Sequence, residues 1–190
     1  MKWCMKNNTL IIPFAAALLT LTVPPALFAA AEPASGAVTT ADAAADGQFM
    51  EHVIRGGLTE IKAAEIAQSE TKREDVKNFA KTMEKDHKDV NKNLLTLTDR
   101  MKLKMPSDLG EHQPFIDGLK AKAKANDPDF DRTYVAAAVE AHEKCVSMFE
   151  SFSKTTKNAD LKAFADNTLP GLRTHLQHSK DLLAALGGAK

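Results

Sequence analysis

Four side chains able to carry a proton or hold a metal ion stand where helical spacing calls for apolar ones. His87 sits in the stretch MEKDHKDVNKNLLTL, and Val76, Ala80, Met83, Val90, Leu94, Leu97 and Met101 fall around it at steps of three and four. That is the spacing of one helix face, so the imidazole interrupts an apolar seam while Lys85, Asp86, Lys88 and Asp89 take the polar sides. Glu60 lies on the line of Val53, Gly57, Ala64 and Ala67, and His142 on that of Val135, Ala138, Val139, Val146 and Phe149. His175 lies on the line of Leu161, Phe164, Thr168, Leu172 and Leu182.

The chemistry open to such a set is limited. A polar group buried without a partner costs on the order of 2–7 kcal/mol, and a charge costs more. Four inward groups must therefore satisfy one another or share a cation. Three neutral imidazoles and a carboxylate suit zinc, copper, iron or nickel; calcium and magnesium want mostly oxygen. Cys145, three residues after His142, and Met83, four before His87, could add soft sulfur atoms, although both residue types are commonly plain core. Glu84 and His87 spell the E-x-x-H spacing of di-iron bundles, but it occurs once, without the matching carboxylates. His178, one turn after His175, is a flanking spare; His52 and His112 read as solvent-exposed.

Four long helices are expected to position these groups: about Gly47 to Glu70, Glu74 to Leu103, Pro128 to Lys154 and Asp160 to Leu186, with Pro170 bending the last. A connection marked by Pro106, Gly110, Pro114 and Gly118 separates the second and third, and PFIDGLKAKAK within it suggests a short helix. EDVKNFAKTM from Glu74 aligns with ADLKAFADNT from Ala159, each with an Asp placed to accept amide bonds at a helix start. The expected fold is all-α: two helical hairpins joined by a long crossover, the ferritin-like version of a four-helix bundle. In that topology the four polar groups lie about 11 to 14 residues from one end, roughly 16–21 Å deep, so they meet near mid-bundle.

The chain outside the bundle has its own signals. MKWCMKNN is basic, TLIIPFAAALLTLTVPPALF is apolar and proline-broken, and AAAEP offers small residues for cleavage. This is the layout of a secretory leader over residues 1–31, followed by a flexible linker over 32–46 and the bundle domain over 47–187. A periplasmic or secreted protein with no transmembrane span after cleavage is expected. Such a mature chain keeps only Cys145, so no internal disulfide can form and the core alone must hold the fold. The whole chain has 25 basic and 25 acidic residues; a leader with two lysines and no acid would leave 23 against 25. There is no basic stripe for nucleic acid and no polybasic membrane patch.

The motifs GGLTEIKAAEIA, VKNFAKTMEKDHKDVNKNL, FDRTYVAAAVEAHEKCVSMFE and LKAFADNTLPGLRTHLQHSKDL resemble a large family of exported bacterial proteins, the domain of unknown function numbered 4142. The resemblance spans about Phe49 to Leu186. It implies a ferritin-like bundle in the periplasm or outer membrane, with no agreed activity. Glu60, Asp86, His87, His142, Leu169, Pro170 and His175 match its motif residues; Ala141 departs from it, where relatives tend to carry an Asp.

Two functions of different class follow. One is a bundle holding a single transition metal ion (zinc, copper or iron) through Glu60, His87, His142 and His175, acting in metal handling or envelope stress protection. The alternative is a metal-free structural or interaction protein of the envelope, whose partner is another envelope protein or a second copy of itself. Catalysis has little support: no phosphate loop, ordered nucleophile or aromatic platform appears, and a di-iron oxidase in its usual form wants four carboxylates.

Overall fold

The computed structural model describes residues 39–188, so the expected leader and residues 32–38 of the expected linker lie outside the described residues. The chain forms α1 (Thr40–Glu70), α2 (Glu74–Arg100), a 3-10 turn (Gly110–His112), α3 (Gln113–Lys124), α4 (Phe130–Thr155) and α5 (Ala159–Gly188), with no strand among the described residues. No described helix is long and apolar enough to cross a membrane.

Local chemistry sets the helix ends. α1 starts at Thr40 and not near Gly47, because Thr39 and Asp42 close a capping box: Asp42 N–H donates to Thr39 Oγ1 at 3.1 Å and Thr39 N–H to Asp42 Oδ2 at 2.9 Å. Residues 40–46, expected as linker, are thereby helical. The repeated motif opens α2 and α5, but its two Asp residues act differently. Asp75 accepts from the Val76 amide at 2.9 Å, whereas Asn158 caps α5 and Asp160 pairs with Arg100 at 3.2 Å. α5 continues unbroken through Pro170.

α1 packs along α2 and α4 along α5. Two contacts fix how the hairpins meet: Thr156, just past α4, donates to Asp46 near the start of α1, and Arg100 at the end of α2 meets Asp160 at the start of α5. α4 therefore runs antiparallel to α1, and α5 antiparallel to α2. The segment 101–129 must carry the chain back along the bundle. Its α3 buries Phe115, Ile116 and Leu119, and Gly110 at φ 51° lets Arg55 lie where a Cβ would be, 1.8 Å from Arg55 Nη1. This is the bundle of two hairpins and one crossover expected from the sequence.

The apolar core falls into two clusters. Phe79, Met83, Ile116, Tyr134 and Val135 belong to the one at the α1–α2 turn. Met50, Ile54, Leu94, Phe149 and Leu161 belong to the other, where Phe49 stacks on Phe152 with ring centroids 3.6 Å apart. Between them lie the buried polar residues Glu60, His87, His142 and His175.

The register of the first hairpin is fixed beside that level. Asn91 Nδ2 donates to Ile54 O at 3.3 Å, and its Oδ1 lies against Gly57, where an added Cβ would sit only 2.2 Å away. Gly57→Ala is therefore expected to destabilise the fold by about 1–3 kcal/mol. In an Asn91→Ala background the same change should cost far less, as urea unfolding of the four proteins of that cycle will show.

Candidate metal centre

His87 leaves α2, His142 leaves α4 and His175 leaves α5, each at a buried inward position with 2–8% of its surface exposed. Their ring centroids form a near-equilateral triangle: 5.5 Å between His87 and His142, 5.5 Å between His87 and His175, and 5.4 Å between His142 and His175. One ring nitrogen from each lies within 4.8 Å of the other two.

The partners of the rings determine which nitrogens remain. A backbone carbonyl can only accept, so His87 Nδ1–H donates to Met83 O at 2.9 Å and His142 Nδ1–H to Ala138 O at 2.8 Å. Each bond reaches one helical turn back and leaves Nε2 with its lone pair. His175 is arranged the other way round. Its Nε2–H donates to Asp86 Oδ2 at 3.1 Å, so Nδ1 is left. His142 Nε2 and His175 Nδ1 are both buried with no hydrogen-bond partner. Three imidazoles thus each have one N–H tied to an oxygen and one lone pair unspent, the arrangement that outer hydrogen bonds impose on metal-binding histidines.

Electrostatics keeps these lone pairs available. Burial pushes His87 down to about 4 and His142 to about 3, the neighbouring imidazoles adding to the effect, so both are neutral at physiological pH. Burial alone would raise Asp86, but hydrogen bonds from His175 and Lys85 outweigh it and hold the carboxylate below its usual range.

The set fits a transition metal ion. Atoms no more than 4.8 Å apart lie within about 2.8 Å of a common centre, against roughly 2.0–2.1 Å for a zinc–imidazole bond, a gap that sub-ångström movement closes. His87 and His142 are neutral, so without a donor or a cation their free lone pairs stay unsatisfied.

The other residues singled out by sequence divide clearly. Glu60 is buried and lines the cavity that the three histidines line, but it stands outside their 4.8 Å group. No hydrogen bond or ion pair among the described residues reaches it, and burial raises its carboxyl to about 8. Cys145 lines the same cavity, half-buried. Met83 contributes its carbonyl to His87, while its side chain belongs to the apolar core. Glu84 turns outward to Gln68 and Lys88, so the E-x-x-H spacing has no part in the cluster. His178 is exposed, edge-on to Phe79. His112 and His52 correct an expectation: His112 is buried, His52 is half-buried, and their rings meet edge to face at 6.2 Å where the crossover docks on α1. The role of Asp86 was not legible, because its partner lies 89 residues away on another helix.

These shifts set a pH signature for the metal-free protein. Between about pH 4 and 6.5 unfolding lets His87 and His142 take up protons, so stability rises with pH there. Above 6.5 folded Glu60 still holds a proton that the unfolded chain has lost, so stability falls toward pH 8 by about 2 kcal/mol. Urea unfolding with a chelator present should give a maximum near pH 6.5, and Glu60→Gln should flatten the decline above it.

No curated protein matches this chain. Among solved structures it is similar to the "DUF305 fragment from Deinococcus radiodurans", with a TM-score of 0.64 and 11% sequence identity, covering 74% of this chain and 95% of that one; at this identity the likeness shows the fold alone. The family model of a domain of unknown function, DUF4142, matches residues 30–182, the whole span of the site included. The chain belongs to the DUF4142 family.

Proposed function

We propose that this protein is an exported bundle that binds one transition metal ion, zinc, copper or iron, through His87, His142 and His175, and serves metal handling or envelope stress protection. The observation that carries the reading is the pair of buried, partnerless nitrogens, His142 Nε2 and His175 Nδ1, in a close triangle of rings completed by the neutral His87. Glu60, across the first hairpin from His87, is the carboxyl that supplies counter-charge. It is protonated at neutral pH when alone in the cavity, and a nearby cation favours its ionised form. Export rests on the basic, apolar, small-residue order of the first 31 residues.

A metal-free structural role leaves the same lone pairs unsatisfied in the core, which is why the metal reading is preferred. Elemental mass spectrometry on the mature chain purified without chelators should find near-stoichiometric metal that disappears in a His87→Ala, His142→Ala double variant. Added metal should raise the melting temperature of the wild type and leave the double variant unmoved. A wild type that neither carries nor takes up metal would return the protein to the structural reading. Asp86→Asn should keep the stoichiometry and weaken affinity by about 10–100-fold, because His175 loses the carboxylate that holds its ring.

A further inference from the structure

The histidines occupy one end of a much larger space. The cavity they line measures about 550 Å³, within the range of small-molecule pockets and far beyond what an ion needs. Its walls are mainly apolar, with Val53, Val90, Phe149, Phe164 and Leu172 among them.

Two glycines leave the wall of this space unfilled, half-buried Gly56 and exposed Gly171. Gly56 on α1 and Gly171 on α5 both line the cavity from inside helices, where glycine is among the least favourable residues. Neither has a positive φ, and a Cβ built on either meets nothing within 4 Å. No turn and no close backbone approach demands glycine at these positions, in contrast to Gly57 and Gly110. What the absent side chains leave is volume.

Glu60 says what the volume receives. It is 7% exposed, lines the cavity, and has no hydrogen bond or ion pair among the described residues. An anionic ligand brought beside it would meet another acid. An ammonium would have to share the site with the cation held by the histidines. A neutral hydroxyl fits in either case, since it donates to a carboxylate and exchanges donor and acceptor roles with a carboxylic acid. The two phenylalanines, with ring centroids 6.1 Å apart, favour an aromatic body.

We infer that the cavity is a binding site for small apolar phenols, with the ligand hydroxyl on Glu60 and its ring and alkyl body against the apolar wall. The inference goes beyond metal binding; only the preference for a hydroxyl over an ammonium rests on that reading, and the phenol is tested on the metal-free mature chain. Failure of metal uptake leaves the test intact.

The experiment measures binding of 4-propylphenol, 4-propylanisole and 4-propylbenzoate by equilibrium dialysis. The phenol is expected to saturate one site with a Kd on the order of a millimolar or below. It should bind about fivefold or more tighter than the anisole, which lacks the O–H, and the benzoate should bind weakest. Glu60→Leu removes a partnerless buried carboxyl and so should fold well; it should bring the phenol and anisole to equal affinity. The double variant Gly56→Leu, Gly171→Leu fills open space without touching a polar group and should weaken all binding about tenfold or more while keeping the melting temperature. No phenol binding by the wild type, equal affinity for phenol and anisole, a preference that survives Glu60→Leu, or full binding by a folded double glycine variant would each overturn the inference.

Discussion

The structure depends on a belt of unspent acceptors set between two apolar cores. His87, His142 and His175 each give one N–H to an oxygen and are left with the other ring nitrogen unspent. Protonation does not relieve this cheaply, because burial drives His87 and His142 to about 4 and about 3. A core that wanted only stability would place apolar side chains at this level and join the clusters on either side. The chain instead divides its core and bears the cost where three helices converge.

The rest of the fold can be understood as the means of keeping that level in register. The Asn91–Gly57 contact locks α1 to α2 one turn from His87. Thr156 with Asp46 and Arg100 with Asp160 tie the hairpins together at the far end. The α3 helix seals the near end with Phe115, Ile116 and Leu119. Because the first hairpin supplies His87 and the second supplies both His142 and His175, the triangle exists only when the hairpins are assembled. Asp86 crosses the same interface to reach His175, so the bond that sets the His175 tautomer also records correct docking.

Much of this was legible in the chain. Apolar spacing of three and four placed His87, His142 and His175 inward on three helices, and counting from shared ends put them level, because a rigid helix converts residue number into height. The start of α1 was misread since its capping box lies in an alanine-rich stretch that looks like linker, and a cap is a matter of local geometry more than composition. Asn91 was missed for another reason, as was the partner of Asp86, a residue that only the family motif had singled out. Asn91 and Asp86 both sit in a run of charged and amide residues that fits a solvated face, and only the placement of a second helix reveals their partners. The separation of Glu60 from the histidine triangle also escaped the sequence: equal height on a helix fixes level but not how far a side chain reaches across the core.

Three imidazoles are preset to hold a cation, with the free positions at Nε2 of His87, Nε2 of His142 and Nδ1 of His175. Nitrogen-15 NMR of the histidine rings at pH 7, before and after adding zinc to the metal-free protein, tests this most directly. N–H is expected on Nδ1, Nδ1 and Nε2 of His87, His142 and His175 in that order, with a change on zinc addition at the three opposite nitrogens. Any of the three found in the other tautomer, His87 or His142 found doubly protonated, or spectra that zinc leaves unchanged, would contradict it.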